Sequence, residues 1–313
     1  MYEQIARNKR LAAIYVLVFL CLWLGIGALV GWIFAVVSGP SVATSSGTAD
    51  VLVGVGLAGV LALGSIVFAV TSGARMVLAV SGAHPADPIQ YRQLHDIVEA
   101  LAIGSGLTKP EVYVIDDPSP NAFATGTSPN RAAITATTGL LNMMNREELE
   151  GVIGHEMSHV KNYDVRLILI VSTLIGLAGL MASLVWQSAY FTRSQGRRSD
   201  QLMMVVLAAG VLLTIVAVVL GPLVRLALSR RRESLADASS VELTRNPAGL
   251  IQALRKLEQN DRPFARFNQA TAAMCIDDPL QHHGHWPNSL FDTHPSLAER
   301  IDALEKISQA QSA

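Results

Sequence analysis

The sequence predicts an α+β membrane protein: a mostly helical domain with a small β-sheet, plus four transmembrane helices. Three observations predict it. Half of the 313 residues are hydrophobic and only 16% are charged, with a mean hydropathy of +0.36, which is too apolar for an ordinary soluble chain. Four apolar runs, residues 11–37, 51–80, 167–191 and 202–228, are each long enough to cross a bilayer as a helix. The stretch 81–164 mixes helical with strand periodicity, and 229–313 is polar again with helical periodicity. The chain therefore divides into a first pair of spans (1–80), half of a polar domain (81–164), a hairpin of spans (165–228) and the second half of that domain (229–313).

The first ten residues carry Arg7, Lys9 and Arg10. A basic start before an apolar run also describes a signal peptide. This run is too long for a typical signal core, however, and Ser38-Gly39-Pro40 is a weak cleavage site. The next loop has no Lys or Arg, so the basic start lies in the cytoplasm and two spans return the chain there near residue 80. Residues 83–88 read as a linker. Leu94, Ile97, Val98 and Leu101 then recur at helical spacing, and Gly104 and Gly106 end that helix. Residues 112–115 read as a strand. Residues 122–127 and 132–137 read as paired strands around the turn triplet Ser128-Pro129-Asn130. Thr138 leads into a short helix.

The third and fourth runs enclose Arg193, Arg197 and Arg198, which would face the far side if both runs cross. The larger cluster Arg225, Arg230, Arg231 and Arg232 pulls the other way. The alternative is a hairpin packed on the protein and only partly in lipid. Beyond it, Asn246-Pro247 opens a helix lined by Leu250, Ile251, Leu254 and Leu257. A long irregular loop (261–293) precedes a last amphipathic helix carrying Leu297, Ile301 and Leu304.

Net charge is −1, which suggests no nucleic-acid partner. Cys21 and Cys275 make no disulfide framework and lack metal-ligand spacing. The chemistry is concentrated in Gly154-His155-Glu156-Met157-Ser158-His159. Residues four apart on a helix share a face, so His155 and His159 can present their imidazoles to a single ion. Glu156 lies about 100° further round, where it can act on a water beside the ion instead of ligating it. Asn145 followed by Glu148 reads as an N-cap with its capping-box partner. Leu149, Val152, Ile153 and Val160 then line an apolar face, and Glu147, Glu148, Glu150 and Lys161 face water. The bland reading is a solvated helix with two incidental histidines.

A catalytic zinc needs a third protein ligand. The continuation His-x-x-Gly-x-x-His fails here, because Asn162 and Val165 stand at the required positions. The best candidate is Glu233 in Arg232-Glu233-Ser234-Leu235-Ala236-Asp237. Either two spans or none separate it from His159, and both cases put the two residues on one side of the membrane. A surface glutamate beside three arginines is an equally good local reading. On a helix, Asp237 would lie one turn beyond Glu233 and could accept the free N–H of a ligand histidine.

At these residues the chain resembles the HtpX heat-shock proteases, membrane-bound zinc metallopeptidases related to the CAAX prenyl proteases. The resemblance runs over roughly residues 1–305. It is carried by the His155–His159 motif with Asn162 and Asp164 following, and by Glu233-x-x-Ala236-Asp237. It is carried further by Pro120-Asn121-Ala122-Phe123-Ala124-Thr125-Gly126, and by Thr293-His294-Pro295 with Arg300. The resemblance implies a gluzincin-like domain holding one Zn2+ by His155, His159 and Glu233, with Glu156 as general base. It implies a multi-pass protein of the bacterial cytoplasmic membrane whose catalytic domain faces the cytoplasm. Its partners would be the lipid bilayer and misfolded or membrane polypeptides, cleaved in envelope quality control. It also places His294 near the cleft, as a candidate donor to the oxyanion, and Asn121 with the strand after it beside the cleft. The chain departs from the family at Ser234-Leu235, where an aromatic residue often follows the glutamate, and in a longer loop carrying His282, His283 and His285.

Each weaker candidate has a plainer reading. His294 can be a loop or cap residue, Asn121 a turn residue, and Ala122, Phe123 and Ala124 part of an ordinary internal strand instead of one that holds peptide by strand addition. The histidine trio reads as a solvated loop, and Asp164 as a cap or orienter of the metal helix. An intramembrane site-2-type protease is disfavoured by Arg146, Glu147, Glu148, Glu150 and Lys161 around the motif, and by the lack of any Asp-Gly pair. A transporter or scaffold would carry ionisable groups within its spans, and these have almost none.

Overall fold

The computed structural model describes residues 2–38, 47–194, 203–204, 206–215, 230–260, 275–276 and 296–312. It resolves into two units, one of residues 12–71 and 170–223, the other of residues 1–11, 72–169 and 224–313.

The first unit draws on α1 (Tyr2–Ser38), α2 (Gly47–Val80) and α6 (Asp164–Ser194), with the shorter apolar helix α7 (Val206–Ile215). Among the described residues three helices are long and apolar enough to cross a membrane: Ala6–Val36, Gly47–Val80 and Asp164–Gln187. Many large apolar side chains of α2 point outward, as at Leu52, Leu57 and Val60. In water such a surface is costly, whereas in lipid it is not. Two of these helices meet through small residues. A Cβ on Gly27 would lie 2.4 Å from the carbonyl oxygen of Gly54, and one on Gly31 would lie 2.4 Å from that of Asp50. Such close backbone approach is how apolar helices associate in lipid. Of the run expected at 202–228, only part lies within the described residues.

The second unit is built on a four-stranded sheet of order β1-β2-β4-β3, comprising β1 (His84–Pro85), β2 (Glu111–Ile115), β3 (Ala122–Ser128) and β4 (Arg131–Thr137). β2 and β4 run parallel, and the other pairs are antiparallel. The segment expected as a linker supplies β1: His84 pairs with Val114 and Pro85 with Tyr113. α3 (Arg92–Ser105) ends at Gly106, whose φ of +69° is left-handed, so Gly104 stays inside the helix and only the second of the two glycines stops it. α4 (Thr138–Met143) is capped by the Thr137 side chain.

α5 (Arg146–Lys161) carries the histidine motif. Asn145 and Glu148 form the expected capping box: the Asn145 side chain accepts from Glu148 N–H at 2.9 Å, and Glu148 Oε2 accepts from Asn145 N–H at 2.8 Å. Glu148 does not face water as the periodicity suggests. It is buried, and its carboxylate also pairs with Lys256 Nζ at 2.6 Å. The reason is tertiary. α5 is enclosed by α3, β3, β4, α8 (Arg230–Thr244) and α9 (Pro247–Glu258), so nearly all of 148–160 is inside.

Two glycines permit that enclosure. A Cβ on Gly151 would lie 2.7 Å from the backbone nitrogen of Leu250, and one on Gly154 would lie 2.7 Å from Ser240 Oγ. Ser240 Oγ donates to the Gly151 carbonyl at 2.7 Å. Ser240 stands two turns after Glu233 on α8, so this contact brings the Glu233 face of α8 against the turn that carries His155. α9 opens at Asn246, which caps Gly249 N–H, and buries Leu250, Ile251, Leu254 and Leu257. α10 (Leu297–Ser312) closes the described chain and buries Ile301 and Leu304.

Candidate metal centre

His155 and His159 lie on the inner face of α5, and Glu233 enters from α8. All three are buried, at 1%, 7% and 0% exposure. Their ligand atoms converge: His155 Nε2 lies 3.1 Å from His159 Nε2, and the Glu233 carboxylate lies 3.5 Å from the first and 3.7 Å from the second. Three donors about 2.0–2.1 Å from a tetrahedral zinc stand roughly 3.3 Å from one another. The observed separations bracket that value. The donor set, two imidazoles and a carboxylate, is also one that a catalytic zinc uses.

Each imidazole is held by a carboxylate on its far nitrogen. His155 Nδ1 lies 2.8 Å from Asp237 Oδ1, and His159 Nδ1 lies 3.2 Å from Asp164 Oδ2. With those N–H groups donating outward, each ring in its neutral form turns Nε2 inward as the acceptor. Asp237 is gripped in turn by Arg300, whose Nε and Nη2 donate to its two oxygens at 3.0 and 2.7 Å. Sequence reasoning assigned no role to Arg300 beyond its place in a motif, and named Asp164 only as a cap or orienter of the helix. The signal for Asp164 was its distance from His159, five residues on and just past the helix end.

The electrostatics follow from burial and pairing. Burial and the Arg300 charge push the His155 imidazole down, but the Asp237 and Glu233 carboxylates outweigh both and hold it up at about 9. Burial likewise lowers His159, and Asp164 and Glu233 raise it further. Asp237 is raised by burial yet ends at about 2, because Arg300 and His155 favour its charge. Burial pushes the Glu156 carboxyl up, opposed by the two histidines and by a hydrogen bond from the Ala124 backbone. β3 packs against α5, with the Ala124 amide bearing on Glu156.

Asn121, Ala122, Phe123 and Ala124 are all buried. Asn121 Oδ1 accepts from Ala122 N–H at 2.9 Å, and its carbonyl accepts from Thr137 N–H at 2.9 Å. On the outer side of β3 the Ala122 carbonyl accepts from Ile276 N–H at 3.0 Å, and Phe123 bridges Cys275. His294, with His282, His283 and His285, lies outside the described residues.

The model of peptidase family M48 matches residues 88–308. The chain is 42% identical to a "Protease HtpX homolog" of Streptococcus mutans, over 98% of this chain and all of that one. It is also 42% identical to a "Protease HtpX homolog" of Limosilactobacillus fermentum, over the same shares. Among solved structures it is similar to S. mikatae Ste24p, at 19% identity and a TM-score of 0.45, covering 97% of this chain and 67% of that one.

Proposed function

The chain belongs to peptidase family M48 and is a membrane-bound metalloprotease, and from that premise we propose that it is a zinc endopeptidase of the bacterial cytoplasmic membrane that cleaves misfolded or membrane proteins in envelope quality control. The observation that carries the metal assignment is the convergence of His155, His159 and Glu233 within 4.8 Å of one another. A bound zinc supplies Lewis acidity, making a water at the site more acidic and polarising the scissile carbonyl. Glu156 takes the proton from that water and returns it to the leaving amine. Asp237 and Asp164 hold the two imidazoles in the tautomer that leaves Nε2 free. His294 remains the candidate donor to the oxyanion on its motif alone. Substrate backbone pairs along the outer edge of β3. Asn121 and Ala122 shape the start of that edge, Phe123 continues it, and Ala124 is the point nearest the base. Because the Ala122 carbonyl already accepts from Ile276 and the Ala124 amide is directed at Glu156, a peptide pairs from the Ala124 carbonyl onward.

The catalytic domain comprises 81–164 and 229–313, interrupted in sequence by a hairpin that crosses twice and, with the first two spans, gives four in all. It faces the cytoplasm. Arg7, Lys9 and Arg10 mark the cytoplasmic end of α1, and Asn8 among them is hydrogen-bonded to Asp164, just past the zinc helix. The basic start and the site therefore share a side.

Purified protein in detergent should hold about one zinc per chain and digest casein. Chelation should stop the digestion and added zinc restore it. Full activity without metal would reject the proposal. Asp237→Asn should weaken zinc affinity about 10–100-fold, the usual cost of losing an orienting carboxylate. It should also lower thermal stability, because buried Arg300 loses its counter-charge. Chelator competition and a melting curve check both, and wild-type values in each would remove Asp237 from the site.

A further inference from the structure

The hydrogen-bonded chain that ends at His159 begins on α1. Arg7, Lys9 and Arg10 are exposed, yet Asn8 between them is 2% exposed. Its Nδ2 donates to the Asn162 carbonyl at 2.9 Å and to Asp164 Oδ1 at 2.7 Å. The other oxygen of Asp164 faces His159 Nδ1 at 3.2 Å, and Arg232 Nη1 stands 3.7 Å from Oδ1. The turn Asn8 grips is itself strained. Tyr163, between Asn162 and Asp164, has φ of +60°, a left-handed conformation that a non-glycine residue adopts at a cost. Lys9 Nζ lies 4.6 Å above the Tyr163 ring. Two successive residues of α1 thus clamp the three-residue turn that ends the zinc helix and carries Asp164.

We propose that Asn8 is a positioning residue of the metal centre: its amide fixes the Asp164 carboxylate, and through it the tautomer and direction of the His159 ring. The start of α1 is on this account part of the zinc site as well as a membrane anchor. An amide suits the task because it donates two N–H bonds at once, to the turn carbonyl and to the carboxylate. Aspartate there has the same shape but no donor, and would set a second buried negative charge against Asp164.

This rests on the zinc reading above, and the test separates the two. Zinc affinity by chelator competition, and the visible spectrum of the cobalt-substituted protein, are measured for wild type, Asn8→Ala and Asn8→Asp. A wild type that binds no zinc sinks the metal reading itself. With wild type binding zinc, Asn8→Ala should weaken it roughly 3–10-fold, less than loss of an orienting carboxylate costs. Asn8→Asp should weaken it more and shift the cobalt bands. A residue that merely filled space would show the reverse order, with the isosteric Asp near wild type, and that order overturns the proposal, as do three identical affinities. Should a variant fold poorly, the cycle with Asp164→Asn decides. The cost of Asn8→Ala should largely vanish in that background, and an equal cost in both shows that Asn8 acts elsewhere.

Discussion

Glu156→Gln will keep its zinc and lose its proteolysis. Glutamine preserves the shape of a side chain that is 2% exposed, and Glu156 is not one of the converging donors, so metal content should match wild type. What disappears is the proposed general base. General-base catalysis contributes about 10²–10⁴-fold, and in the proposed mechanism the same carboxylate also delivers the proton to the leaving amine. Casein turnover should therefore fall by roughly three orders of magnitude or more, with zinc by atomic emission unchanged. A variant retaining a tenth of wild-type turnover would show that another residue is the base.

Removal of Glu233 should act at the earlier step. Structural zinc sites bind with roughly 10–16 kcal/mol, so one of three ligands accounts for about 3–5 kcal/mol, or 10²–10⁴-fold in affinity. Glu233→Ala should emerge from purification largely free of zinc, and proteolysis should fall with the metal. Unchanged stoichiometry would reject Glu233 as a ligand and reopen the reading as a helix charge beside Arg232. The paired variants also discriminate between roles: one loses chemistry with metal retained, the other loses both together.

What the sequence makes legible here is what is local. The imidazole pair follows from a spacing of four on one helix, and the capping box from residues 145 and 148. Asn246-Pro247 opens α9 where the rule for proline at the first helical position puts it. Less was legible where meaning depends on a distant partner. Glu148 has the polarity of a surface residue and is buried because Lys256 arrives from α9. β1 has only two residues, too few to show a period, and exists because β2 offers it an edge. The bidentate grip of Arg300 on Asp237 spans 63 positions, and the single hydrogen bond from Asn8 to Asp164 spans 156. No pattern within a window records either. Glu233 lies between these cases: its short motif was visible, but only a family resemblance distinguished it from a surface charge.

The donors that converge on the site are delivered in a fixed order with a hydrophobic helix between them. A ribosome has released both imidazoles well before the acid on α8 is made, and α6 must be accommodated in between. On the proposed ligand set, a nascent chain stalled at that stage would own the base and two of three metal donors, and should not cut its neighbours or itself. On that ligand set, hydrolytic competence requires that translation has passed residue 233.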